Sequence, residues 1–290
     1  MPRTKSYFKE VENLRKRYLS ALPGKESLAQ LLNEVEISEQ VYNSNAIENS
    51  TLTLEETEKI LLKIDLNRFI TERELFEAKN LAHVVEYMEK RATEQPLTKD
   101  VMLLLHKVLL TNIRDDIAGR FRNAEEWVRV GNYVAANPKD IDALLTSMLT
   151  DYAKESSTHI VKRLAHFHLT FERIHPFIDG NGRMGRAMNN YVLLREGFVP
   201  IVILFAVRDV YYQAFKEFDA TGATTIMENV IGLALRESYH KRLAYMEGKR
   251  IITLNEYGKI NTIALATLLN KARRQTIEAF REKGKWKIGV

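Results

Sequence analysis

The sequence predicts an all-α protein: a helical bundle carrying one short β-hairpin as a flap and ending in a small helix-turn-helix with a short wing. Three observations predict it. Apolar residues recur at helical spacing along most of the 290 residues. β-Branched and aromatic residues break that pattern between Phe121 and Ala136, around Gly131-Asn132. Residues 264–290 combine a basic helical stretch with a Gly284 turn and Trp286-Lys287-Ile288, the outline of a winged element.

The elements follow in order. Thr53 with Glu56, and Thr71 with Glu74, have capping-box spacing and start helices. Thr98 caps a helix whose apolar face is Val101, Leu104, Leu105 and Val108. Val128, Val130 and Tyr133-Val134 suit the hairpin strands. Asn137-Pro138 reads as an N-cap and first-turn pair opening a helix over about 138–155. Val161, Leu164, Ala165, His168 and Phe171 form another stripe, and Met184, Ala187, Met188 and Tyr191 a third. Residues 206–219 and 224–247 give two more helices. Soft boundaries at Gln95-Pro96 and Gly248-Lys249-Arg250 divide the chain into an N-terminal helical region (1–95), a central domain (96–247) and a basic module (248–290).

Composition narrows the function classes. Hydrophobic residues make up 45%, enough for a core, and charged residues 28%, ordinary for a soluble protein. No apolar run approaches the roughly 18 residues that span a bilayer. The N-terminal MPRTKSYFKEVENLRKRY is charged throughout, which speaks against a signal peptide. The absence of cysteine removes disulfides, thiolate nucleophiles and thiolate metal sites, and fits a reducing, cytoplasmic setting. The net charge is +5, and residues 271–290 carry all of it: Lys271, Arg273, Arg274, Arg281, Lys283, Lys285 and Lys287 against Glu278 and Glu282. A general nucleic-acid coat is therefore not expected. A basic C-terminal patch is, and residues 264–290 could serve DNA contact, packing on the central domain or homodimerisation.

One segment gathers the chemistry: His175-Pro176-Phe177-Ile178-Asp179-Gly180-Asn181-Gly182-Arg183-Met184-Gly185-Arg186. It lies between two helical stripes, so it is a loop running into a helix N-terminus. Gly180-Asn181-Gly182 lets backbone N–H groups turn toward one point, and the helix end behind them makes an anion nest. Arg183 and Arg186 stand one turn apart on one face, suited to a polyphosphate. Asp179 is a hard oxygen ligand for Mg²⁺ on those phosphates. His175 titrates near neutrality and can act as a base. Each residue alone has an ordinary structural explanation. A base, a carboxylate, a nest and two arginines within twelve residues do not share one.

HPFIDGNGRMGR resembles the signature of the Fic-domain (Fido) protein adenylyltransferase family, His-x-Phe-x-Asp/Glu-Gly-Asn-Gly-Arg-x-x-Arg, at every defining position. The resemblance runs from roughly Leu97 to Leu235; Ala118 to Arg122 with the hairpin resemble the family's flap. It implies transfer of AMP from ATP to a Ser, Thr or Tyr hydroxyl of a target protein docked along the 121–136 hairpin. His175 would be the general base and Asp179 would hold Mg²⁺. Gly180, Asn181, Gly182, Arg183 and Arg186 would bind phosphates, while Phe177 packs the loop on the core. Tyr211, Tyr212 and Asp219 would line the nucleoside pocket, although a tyrosine pair in an amphipathic helix fits a core equally well.

Ser44-Asn45-Ala46-Ile47-Glu48-Asn49 resembles the family's inhibitory motif, Ser/Thr-x-x-x-Glu-Gly/Asn, and its place matches the subgroup with an N-terminal inhibitory helix, here about 38–49. The resemblance implies that Glu48 pairs with Arg186 and keeps the enzyme silent. The other reading is a plain helix C-terminus capped by Asn49. Three alternatives stay open: another nucleotide donor, removal of AMP, and a nucleotide-sensing DNA-binding regulator.

Overall fold

The computed structural model describes residues 4–131 and 133–290, with side chains from residue 8 onward. The N-terminal region is α1 (Thr4–Ala21), α2 (Glu26–Ile47), α3 (Leu54–Leu61) and α4 (Glu72–Arg91). Next come α5 (Lys99–Leu110), a hairpin of β1 (Arg129–Val130) and β2 (Tyr133–Val134), and α6 (Ile141–Lys154). The centre is α7 (Ile160–Ile174) and α8 (Asn181–Arg195), followed by α9 (Arg208–Thr221) and α10 (Thr225–Met246). The C-terminal part is β3 (Ile251–Thr253), α11 (Leu254–Asn261), α12 (Leu265–Arg273), β4 (Ala279–Glu282) and β5 (Lys285–Gly289). Among the described residues no helix is long and apolar enough to cross a membrane.

Local chemistry explains most starts. Both expected capping boxes close: Thr53 and Thr71 accept the amides of Glu56 and Glu74, whose carboxylates return to the threonine amides. Thr98 accepts the Val101 amide at the start of α5. A third box, Thr253 with Glu256, starts α11 by the same spacing. The helix expected over 138–155 begins instead as a 3-10 turn, Pro138–Asp140, before α6. The Asn137 side chain takes the Lys139 amide, so the expected cap is in place ahead of the 3-10 turn. The hairpin pairs Arg129 with Val134 and Val130 with Tyr133. Of its expected turn, Gly131 is described and Asn132 lies outside the described residues.

Two apolar cores share the central helix pair. One joins Met88, Met102, Leu105, Phe171, Phe177 and Met184. The other joins Val11, Leu164, Leu193, Tyr211, Leu235 and Leu243. α7 and α8 each send residues into both, so the loop between them is held from two sides. The tail packs as a winged element: α11 and α12 joined by Thr262-Ile263-Ala264, beside an antiparallel sheet of order β3-β5-β4. It begins earlier than residue 264, because β3 and α11 belong to it.

Candidate functional site

The α7–α8 loop is closed from within. Asn181 accepts the Phe177 amide through Oδ1 (3.0 Å) and donates Nδ2 to the Phe177 carbonyl (2.9 Å). Both ends of its amide are buried and engaged, so toward a phosphate Asn181 offers its backbone N–H rather than its side chain. Phe177 is fully buried and stacks on His106 with ring centroids 3.7 Å apart. Burying such a ring is worth about 2–3 kcal/mol. His106 accepts the Gly119 amide at Nδ1 (3.1 Å), so Nε2–H donates to the Asp179 carbonyl (3.1 Å). Gly180 sits at φ 82°, a left-handed turn that glycine adopts without strain, and begins α8.

His175 ends α7 in a left-handed conformation, φ 51° and ψ 61°. That is costly for a residue with a Cβ and persists only when neighbours hold it. Arg122 does the holding: Nε donates to the His175 carbonyl (2.8 Å), and Nη2 reaches the Ala136 carbonyl at the hairpin's exit (2.9 Å). Arg122 thereby ties the loop to the flap. Nδ1 of His175 lies 3.3 Å from the Glu172 carbonyl. Donating Nδ1–H there leaves Nε2 as the free acceptor. Burial lowers the His175 pKa to about 4, so the ring is neutral at pH 7 and able to take a proton.

Arg186 is buried and all three of its guanidinium nitrogens are engaged. Nε donates to Ser44 Oγ and Nη2 to the Ser44 carbonyl, each at 2.9 Å. Nη2 also meets Glu48 Oε1 at 2.9 Å, and Nη1 meets Tyr211 Oη at 3.3 Å. Glu48 is the residue at which α2 ends, and Asn49 follows at φ 68°, so the segment is at once a capped helix terminus and an arginine clamp. α2 is longer than the expected 38–49, starting at Glu26. The Glu48 carboxylate lies against Gly182, where any side chain would collide with it. An anion therefore already rests on the first turn of α8.

Arg183 and Asp179 are also engaged, by residues the sequence reading missed. Arg183 pairs with Glu77 (3.2 Å) and Asp179 (3.3 Å), and Arg73 joins Glu77 (3.0 Å) to Asp179 (3.2 Å). Arg73 and Glu77 are one turn apart on α4, an i,i+4 pair that sequence alone assigns to a solvated face. Glu172, another missed residue, is buried with Oε2 3.9 Å from His175 Nδ1 and Oε1 without a hydrogen-bond partner. Burial pushes its pKa up to about 8; Arg186 opposes the shift and Glu48 adds to it.

Of the three expected nucleoside residues, Tyr211 and Tyr212 meet edge to face with ring centroids 5.6 Å apart, and Asp219 stands apart from them. Tyr211 is buried, its hydroxyl between His168 (2.8 Å) and Arg186, which makes it a polar core partner rather than a pocket wall. Tyr212 is partly exposed and donates to the Ile47 carbonyl (3.4 Å). Asp219 pairs with Arg173 (2.7 Å) and lines a separate cavity of about 480 Å³ beneath the hairpin. A tyrosine pair cannot reveal from sequence which ring faces the core.

Comparisons with known proteins agree with this geometry. The profile described as the Fic/DOC family matches residues 96–193. The chain is 30% identical over 223 residues to a protein adenylyltransferase Fic of Drosophila willistoni, covering 71% of this chain and 44% of that protein. It is 28% identical over 189 residues to one from Nematostella vectensis, covering 62% and 42%. The chain thus spans less than half the length of these curated relatives. Its fold resembles that of a Fic-domain signaling protein from Bacteroides thetaiotaomicron (TM-score 0.74, 25% identity, 83% of this chain and 97% of that one). It also resembles a Fic family protein from Desulfovibrio desulfuricans (TM-score 0.70, 21% identity, 100% and 96%). Through residues 96–193, which hold the whole His175-to-Arg186 segment, the chain belongs to the Fic/DOC family.

Proposed function

We propose that the chain transfers AMP from ATP to a Ser, Thr or Tyr hydroxyl of a target protein, and that α2 holds it inactive. One observation carries both halves: the Glu48 carboxylate lies on the N-terminal turn of α8 and on Arg186, in the seat an ATP phosphate would take. A site that accommodates one anion on a buried guanidinium beside a helix N-terminus suits another. Relatives named protein adenylyltransferase support the AMP donor.

In this reading the target oxygen attacks the α-phosphorus, its proton passes to Nε2 of His175, the bond to the β-phosphate breaks and pyrophosphate leaves. His175 suits the role because it is neutral, with Nδ1 directed at Glu172 and Nε2 free. The Gly180, Asn181 and Gly182 backbone with Arg183 and Arg186 would bind the phosphates, so positioning and charge stabilisation supply most of the rate. Asp179 is one partly exposed carboxylate, which fits Mg²⁺ held by a single protein oxygen and the nucleotide's own phosphates. There Mg²⁺ would neutralise phosphate charge, once Arg73 yields Asp179. The target would lie along the 121–136 hairpin, beside exposed Trp127 and Val134, with the cavity under Tyr133 open to a flanking apolar side chain. The missing cysteines support a cytoplasmic site of action. The basic module at 264–290 is the proposed DNA contact.

Mass spectrometry of the Glu48→Gly protein with each nucleotide in turn tests the assignment. An added AMP supports it, another adduct moves the chemistry to a different donor, and no adduct with any nucleotide overturns transfer.

A further inference from the structure

The winged element has one face that nothing in the chain uses. Between Glu256 and Glu278 the sequence has no acidic residue and four basic ones, Lys259, Lys271, Arg273 and Arg274, all exposed. The neighbouring carboxylates are already taken: Glu278 by Arg17 and Lys249, Glu282 by Lys287. None of the four bases is ion-paired among the described residues, whereas Arg17, Arg163, Arg236 and Arg242 all are. The first turn of α12 exposes only small or apolar side chains, Ala264, Leu265, Ala266 and Thr267. A helix that leads with small residues and ends in bases, supported by a second helix through a three-residue turn, can enter a DNA major groove. Its N-terminal residues then meet base edges and its cations meet phosphates.

The wing is not free in the same way. At its tip the Lys283 amide donates to Glu39 of α2 (2.5 Å), and Lys283 Nζ lies 3.6 Å from Glu58 of α3. Glu39 stands on the helix whose end holds Arg186. A phosphate approaching Lys283 and Lys285 would compete for the donors that Glu39 uses and would repel its carboxylate. Duplex DNA on the wing and the wing's grip on α2 are therefore mutually unfavourable.

We propose that α12 and the wing form a binding surface for double-stranded DNA, and that docking there loosens α2 and raises transfer activity. The binding half rests on the DNA contact proposed above, and the activation half on the AMP-transfer reading. The test uses the full chain and a labelled random-sequence duplex of about 25 base pairs in an anisotropy titration across salt. Each phosphate contact contributes about 0.9 to the salt slope, so a slope of about −3 or steeper is expected. Lys271→Glu with Arg273→Glu and Arg274→Glu should weaken binding at least tenfold, while self-modification in the Glu48→Gly background stays unchanged. Saturating duplex should raise wild-type self-modification about fivefold and leave Glu48→Gly unaffected. Absence of salt-dependent binding, or binding indifferent to the triple change, overturns the surface. Equal affinity for single-stranded RNA overturns the duplex assignment. Duplex binding without activation overturns the coupling alone. An inactive Glu48→Gly protein overturns AMP transfer, and the coupling with it, while the binding titrations still decide the surface.

Discussion

Arg186 and Glu48 are 138 residues apart in sequence and 2.9 Å apart in space. The pair is buried on the arginine's side, and Ser44 takes two more of the same guanidinium's bonds. A guanidinium so engaged cannot fork onto a phosphate. Glu48→Gly should therefore raise self-modification at least about tenfold, within the range typical of coupling between two sites. Radiolabelled ATP and a gel would measure it; unchanged labelling would sink the idea of a held-off state.

His175→Ala should reduce transfer in the Glu48→Gly background by about 10²–10⁴, the usual contribution of a positioned base. Nucleotide affinity should hold, because Nε2 faces the hydroxyl rather than the phosphates. Isothermal titration of ATP beside the rate assay separates the two. Since burial lowers the ring's pKa to about 4, the acid limb of the rate profile should fall well below pH 6.5. A limb at or above 6.5 would exclude His175 as the titrating base.

Arg73 pairs with Asp179 at 3.2 Å and competes with any cation for its oxygen. Arg73→Ala in the Glu48→Gly background should lower the Mg²⁺ concentration for half-maximal transfer several-fold, with about 1 kcal/mol or less of stability lost for a surface pair. Metal titration of the rate reads the first and thermal melting the second. An unchanged Mg²⁺ requirement would mean that Asp179 does not hold the metal.

Glu172 gives the protein a pH-dependent weakness. Its folded pKa is raised from the ordinary 4.5 to about 8 by burial. The folded state keeps a proton there that the unfolded chain releases above 4.5. Stability from this group is complete below that value and declines as pH rises toward 8, by up to about 1.4 kcal/mol per pH unit. Glu172→Gln should flatten the decline in melting temperature between pH 5 and pH 8. A variant with the same pH dependence as the parent would show that the carboxyl ionises freely.

Asn181→Ala removes both hydrogen bonds that close the loop and leaves the Phe177 amide and carbonyl buried without partners. The cost should be about 2–4 kcal/mol, counting roughly 1–3 for each orphaned group after partial rescue by water. Urea denaturation measures it. A loss under about 0.5 kcal/mol would mean that the loop is held chiefly by Phe177 and Arg122.

Much of this molecule can be read from residue order, because local rules govern it. Thr53, Thr71 and Thr98 cap helices by contacts within three residues, and the chemical segment is itself contiguous. What escaped the sequence depends on distant packing. Asn181 reads as a phosphate ligand until its partner, Phe177, is seen to absorb both ends of the amide. Tyr211 reads as a pocket wall until Arg186 and His168 are found on its hydroxyl. Arg73 and Glu77 read as an exposed pair until α4 lies against α8. Asn137 is the opposite case: its cap was legible, and the 3-10 geometry of the turn that follows it was not.

The hydrogen bond from the Lys283 amide to Glu39 has a reciprocal consequence. Glu39 and Glu48 lie nine residues apart along one helix, about 13 Å of rod at 1.5 Å per residue. If an occupant of the wing changes the free energy of the Glu48–Arg186 contact, mass action requires the same factor in reverse. A nucleotide that displaces Glu48 from Arg186 should tighten whatever the wing holds, by the ratio in which the wing's occupant tightens the nucleotide. The C-terminal module would then report the nucleotide state of the catalytic loop, so that one chain could read either site from the other.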